Sequence, residues 1–184
     1  MILSALIFVL AYPVLILSNA IVQDIYWRDY VPGTIPYDAF LVGKTRYVGQ
    51  VLHQGNNPGT LYSDTNIIAI DWNGRVCYRE NIKILCTGDL SKLYWETVDF
   101  SKVYDKQMKN AVRGGWQPGL ELFVGYAVDA GEIKIGKVVS MDVATTLGLY
   151  VWDSNGKPKK FMQFYMLKYN TTVVSGDGSV IFKD

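Results

Sequence analysis

Histidine is almost absent from this chain, with His53 the single example, and cysteine contributes only Cys77 and Cys86. Any Ser-His-Asp triad or His-centred zinc site would have to be built on His53. No Cys-x2-Cys, His-x3-His or Gly-x-Ser-x-Gly context surrounds it, so those chemistries have no recognisable seat. Charge of one sign is also scarce: 18 Lys and Arg against 17 Asp and Glu leave a formal +1, with no basic block. Counter-ion release at phosphates therefore lacks its source, and nucleic acid is not an expected partner. Beyond residue 22 no apolar run is long enough to span a bilayer as a helix. Asp71-Trp72-Asn73-Gly74 and Asp153-Ser154-Asn155-Gly156 lack the remaining ligands of a calcium loop and read as turns. Gly131 to Val138 has the spacing of a phosphate loop, but Val138 stands where a magnesium-holding hydroxyl is needed, and its Ile alternation reads as strand. No metal or cofactor is expected, and the chain is read as non-catalytic.

What is present begins with residues 1–20, an apolar run without a charged side chain that gives way abruptly to Gln23-Asp24-Ile25-Tyr26-Trp27-Arg28-Asp29. Ser18 and Ala20 have the small-residue spacing that signal peptidase accepts, so the run reads as a leader cleaved after Ala20. The alternative is an uncleaved anchor, since the apolar stretch through Val22 could span a bilayer. With the leader removed, the protein is expected to be secreted and extracellular, without a membrane partner. In an oxidising compartment Cys77 and Cys86 are expected to pair. Their spacing suits a hairpin staple and forbids a bridge along one straight strand, where residues nine apart lie about 30 Å from each other. The sequon Asn170-Thr171-Thr172 offers a glycosylation site.

The chain repeats itself. Tyr26-Trp27 recurs as Tyr94-Trp95, and Ala39-x3-Gly43 as Ala111-x3-Gly115. Tyr47-Val48-Gly49 with Gly55 six residues on recurs as Phe123-Val124-Gly125 with Gly131. Gly59 recurs as Gly136, and Gly74 with Leu85 eleven on as Gly156 with Leu167. These anchors place one repeat in residues 21–93, a second in 94–169, and a tail or hairpin in 170–184. Within each repeat Val, Ile, Tyr and Phe mark strands, as in Arg46 to Leu52, Glu121 to Val128, Ile133 to Val139 and Phe161 to Tyr169. Asn56-Asn57-Pro58-Gly59, Asn73-Gly74, Gln117-Pro118-Gly119 and Asn155-Gly156 carry turn chemistry. The best helical candidate is Ser101 to Asn110. The fold class is all-β: two pseudo-symmetric antiparallel repeats, each too short to bury its apolar face alone, packed around a shared core.

Trp27…Gly33-Thr34-Ile35-Pro36…Ala39, Tyr47-Val48-Gly49…His53-Gln54-Gly55, Pro58-Gly59 and Gly74-Arg75…Leu85 resemble the DM-nine repeat, and the second copy supplies the matching Ala111…Gly115, Phe123-Val124-Gly125, Gly131, Gly136-Lys137 and Gly156-Lys157…Leu167. The resemblance implies a tandem all-β module of secreted proteins and natterin-like toxins, some of them dimerising, mannose-binding lectins of innate recognition. It also implies a ligand set: an Asp just after the Ala-x3-Gly anchor and the Lys of Pro-Gly-Lys. Here Thr45 and Gln117 stand at the Asp position, Thr60 replaces the first Lys, and Lys137 keeps the second. The repeat's Arg is replaced by Gln50 and Tyr126.

Sugar sites combine planar hydrogen-bonding groups with an aromatic face, and this chain has 13 Tyr and 5 Trp. Trp116, Gln117 and Lys137, with Thr45 and Thr60, are the candidate carbohydrate-binding residues, and glycans are the expected partners, of mannose type by the resemblance. The alternative is a secreted effector or structural protein that binds another protein through the same scaffold. N-terminal sequencing of secreted material should begin at Ile21; an intact Met1 in the membrane fraction would establish the anchor instead.

Overall fold

The computed structural model describes residues 24–103, 105–140, 146–170, 172–174 and 180–182. The leader expected in residues 1–20 lies outside them, as does Thr171 of the sequon. Side chains that alternate between apolar and polar along Val-, Ile- and Tyr-rich segments favour strands, because successive Cβ atoms point to opposite faces. The first half forms β1 (Ile25–Asp29), β2 (Leu41–Val42), β3 (Arg46–Leu52), β4 (Asn56–Tyr62), β5 (Ile67–Asp71), β6 (Arg75–Tyr78) and β7 (Ile82–Thr87). The second forms β8 (Leu93–Asp99), β9 (Arg113–Gln117), β10 (Leu120–Asp129), β11 (Glu132–Val139), β12 (Gly148–Trp152), β13 (Pro158–Phe161) and β14 (Gln163–Tyr169). A separate hairpin, β15 (Thr172–Val174) with β16 (Val180–Phe182), follows in the tail.

The pairings among the described strands are antiparallel, and the diagram of the first half recurs in the second. β3 pairs with β2, β4 and β7, while β10 pairs with β9, β11 and β14. Gly49 faces Gly59 and Ile84; Gly125 faces Gly136 and Met166. Trp27 lies opposite Leu85, and Trp95 opposite Leu167. The two sets join edge to edge where Asn56 of β4 meets Trp116 of β9. Two of the recurring glycines have a steric reason to recur. A Cβ on Gly59 would lie 2.3 Å from the Ala69 carbonyl oxygen, and one on Gly136 would lie 2.1 Å from that of Tyr150. Only glycine lets the neighbouring backbone come that close.

One apolar group draws on both halves: Val42, Val48 and Leu85 pack with Val124, Ile135 and Leu167. Polar groups lock the same seam. The Thr60 hydroxyl, fully buried, accepts from the Ile135 amide at 2.7 Å and donates to the Ile135 carbonyl at 3.0 Å. Gln50, where the repeat's Arg would stand, donates from Nε2 to the Gly114 carbonyl at 2.7 Å. At the two Asn-Gly turns the Arg75 amide donates to the Gly156 carbonyl at 2.9 Å.

Three expectations need correction. Asn56-Asn57-Pro58-Gly59 is the start of β4 and not a turn; Asn57 is buried, and its amide group donates to the carbonyls of His53 and Gly55 just before it. The chain reverses one step earlier, at Gln54 and Gly55, with φ of 49° and 122°. Among its described residues the candidate helix at 101–110 contains a single 3-10 turn, Asp105–Met108. Cys77 and Cys86 are free. Cys77 is exposed on β6, opposite Ala69, whereas Cys86 is buried on β7, opposite Tyr26, and β6 and β7 share no ladder. Burial, reinforced by the charge of Asp38, pushes the Cys86 thiol up to about 11. It stays protonated and unreactive at neutral pH.

Replacing Thr60 by Val keeps the shape and removes both bonds to Ile135. Urea denaturation should show a loss of about 1–3 kcal/mol for Thr60→Val, the cost of a buried unsatisfied amide, with Thr60→Ser closer to wild type. Identical midpoints for all three proteins would mean that the bond contributes nothing.

Candidate functional site

The β2–β3 turn of the first half and the β10–β11 hairpin of the second stand side by side. Gly43, with φ of 76°, turns the chain after β2 and leaves Lys44, Thr45 and Arg46 facing the partner hairpin. That hairpin closes on two residues, Ala130 and Gly131, at φ of 49° and 80°. Positive φ at both central residues is what matches a two-residue turn to the twist of its strands. Between them lies an open cleft of about 380 Å³, lined by Lys44, Thr45, Arg46, Gly131, Glu132 and Ile133.

Its polar groups are held in place. Nη1 of Arg46 donates to the Thr45 hydroxyl at 2.7 Å and to Asp64 at 3.3 Å, and the guanidinium carbon sits 4.2 Å from the centre of the Tyr62 ring. The Tyr62 hydroxyl donates to Oε1 of Glu132 at 2.8 Å. Burial, then the bond and charge of Glu132, push this phenol far above its ordinary value, so it remains a donor at neutral pH. Behind the hairpin Lys134, only 1% exposed, bonds Asp129 at 2.9 Å and the Trp152 carbonyl at 2.9 Å. Asp129 also holds Lys159 at 2.6 Å, and the two ammonium groups keep its carboxyl below the usual range.

The corresponding place in the other half is shut. There the β9–β10 turn meets the β3–β4 hairpin directly, and Nε2 of Gln117 donates to Oδ1 of Asn57 at 2.6 Å. A Cβ on Gly55 would lie 2.2 Å from the Trp116 carbonyl oxygen, whereas one on Gly131 would meet nothing within 4 Å.

The five candidate residues are thus dispersed. Thr45 lines the open cleft. Gln117 sits at the shut counterpart beside Trp116, whose side chain is half in solvent. Thr60 faces no solvent and its hydroxyl is spent on Ile135. Lys137 is largely enclosed: its ammonium donates to the Asp71 carbonyl at 3.0 Å, lies 3.8 Å from the Asp71 carboxylate and 5.0 Å from the centre of the Trp72 ring. Trp72 packs against His53 edge-on at 4.5 Å, and His53 shares a hydrogen bond with the Tyr78 hydroxyl. Asn170, the sequon asparagine, is exposed. Lys44, Arg46 and Glu132 were missed because the two walls are almost ninety residues apart in sequence. The one local signal was the Asp129-Ala130-Gly131-Glu132 turn. Among the described residues no group of three or more His, Cys, Asp or Glu could hold a metal ion.

A continuous 14-stranded sheet, antiparallel in its pairings and folded so that its two halves wall one cleft, defines an all-β protein. The DM9 repeat family model matches residues 41–147, more than half of the chain and both walls of the cleft. The chain belongs to the DM9 repeat family. No curated protein matches it.

Burial outweighs mutual attraction in the Asp71–Lys137 pair: it raises the Asp71 carboxyl, against the Gly74 amide and the Lys137 charge, and lowers the Lys137 ammonium, against the Asp71 charge. The Asp71 contribution to stability therefore falls as pH rises through its folded value, and the Lys137 contribution recovers as pH climbs toward the ordinary lysine value. Removing one partner strands the other. Lys137→Met should lower the unfolding free energy at pH 7 by about 1.5–3 kcal/mol, a charged group's share, and lose the alkaline recovery. Adding Asp71→Asn should regain most of that loss in the same urea titration; equal stability of single and double variants would show the two groups to be uncoupled.

Proposed function

We propose that this protein is a secreted, non-catalytic recognition protein that binds carbohydrate in the cleft between residues 44–46 and 131–133. The observation that carries this reading is the cleft itself. A planar guanidinium, a hydroxyl and a carboxylate are fixed in one concave surface, with the Tyr62 ring against the guanidinium. Rings of hydroxyls are recognised by such fixed donors and acceptors, and the size is at the small end of ligand pockets. Family membership supports the reading, since the resemblance set out above implies lectin-like relatives. Burying few rotatable side chains also keeps the ordering cost low, because Arg46 and Glu132 are already restrained.

A second reading, binding of another protein, has its own support. Leu52 and Trp116 are 67% and 51% exposed and both flank Asn56, and large exposed apolar side chains of this kind anchor protein interfaces. A glycan array probed with residues 21–184 separates the two. Wild type should bind saccharides, and Thr45→Tyr, which fills the cleft from an exposed turn, should reduce the signal at least about tenfold, as loss of a bidentate polar contact does. No saccharide bound by wild type would favour the second reading, whereas saccharide binding untouched by Thr45→Tyr but abolished by Trp116→Ala would move the carbohydrate to the Trp116 surface.

A further inference from the structure

We infer that the cleft selects sugars carrying an anionic group, a carboxylate or a sulfate ester. This rests on the carbohydrate reading of the same cleft. Of its lining residues Lys44 and Arg46 are cationic and only Glu132 is acidic. The Glu132 carboxylate is already committed, with Oε1 on the Tyr62 hydroxyl at 2.8 Å and Oε2 4.0 Å from the Lys134 ammonium. Lys44 is exposed and, among the described residues, has neither an ion pair nor a hydrogen bond. Arg46 gives Nη1 to Thr45 and to Asp64, whose side chain is half exposed; among the described residues its Nη2 and Nε make no bond. Stacking on Tyr62 holds the guanidinium plane fixed, which preorganises its remaining donors for a planar or tetrahedral anion.

On the other wall Gly131 and Ile133 carry no charge, and the one negative charge, that of Glu132, is met by the Tyr62 hydroxyl and the Lys134 ammonium. A neutral sugar would leave Lys44 idle, whereas an anionic one would give it a partner at the rim, where charge-assisted bonds form without a large desolvation cost. The shut counterpart offers no such pair: its facing groups are Gln117 and Asn57, bonded to each other.

The experiment is two-dimensional NMR titration of residues 21–184 with a neutral mannobiose, a digalacturonate, a sulfated disaccharide, and sodium acetate or sulfate alone. The acidic disaccharides should bind at least about tenfold more tightly than mannobiose, shifting resonances of residues 44–46 and 131–133. Lys44→Gln, an exposed turn substitution checked by its spectrum, should cost the acidic sugars roughly tenfold more than it costs mannobiose, the range expected of one charge-assisted bond. Preference for either the carboxylate or the sulfate sugar identifies the anion. Equal affinity for mannobiose, indifference to Lys44→Gln, or simple anions binding as tightly as the sugars would overturn the inference. In the first two cases the carbohydrate reading survives. No binding by any sugar would overturn both.

Discussion

Everything in this protein depends on how closely β4 and β11 approach their neighbours. At Gly59 and at Gly136 the carbonyl of the next strand occupies the place a side chain would need. Next to these close approaches β4 of one half lies against β11 of the other. That contact puts the Thr60 hydroxyl on both main-chain groups of Ile135, where a buried amide and carbonyl would otherwise lack partners. The apolar seam of Val48, Leu85, Val124 and Leu167 closes around the same contact. Neither half could hide these faces by itself.

The halves differ where they are not bound by that constraint. Gln50 faces Lys83 across the ladder in the first half, and Tyr126 faces Tyr165 in the second. Gln50 is drawn inward to Gly114, while the two tyrosine rings stack at 4.7 Å, with Trp95 edge-on to Tyr126 at 4.6 Å. The position of Cys86 against Ala39 is taken by Lys168 against Ala111, and there the ammonium turns to the carbonyls around the 3-10 turn. One pairing diagram therefore tolerates a thiol, an amide, an aromatic stack or a buried cation at matched places, provided each finds its partner.

Much of the fold could be read from residue order alone. Gly49, Gly59, Gly125 and Gly136 marked strand pairs because only glycine meets the steric demand there, and the Asn73-Gly74 and Asn155-Gly156 turns fell where positive φ was needed. Local chemistry misled at Asn56 to Gly59. Its Asn-Asn-Pro-Gly composition is that of a turn, yet Pro58 sits in a strand between β3 and β5 because tertiary neighbours supply what local preference does not. The cysteines misled for a similar reason: spacing suggested a hairpin, and ladder order put them on strands that never pair. The cleft was only half legible. Thr45 was visible as an altered anchor, but its opposite wall comes from the other copy, and nothing in the local text of either segment announces the juxtaposition.

The sealed counterpart at Gly55 and Trp116 has a consequence for valency. Under the carbohydrate reading this pair of matching places offers one seat, where two open clefts would have offered two. A monovalent binder coats a polymer or a cell surface without cross-linking it, and gains neither avidity nor the ability to agglutinate. On that reading clumping would require chains to associate with one another, so that assembly would set the number of seats per particle.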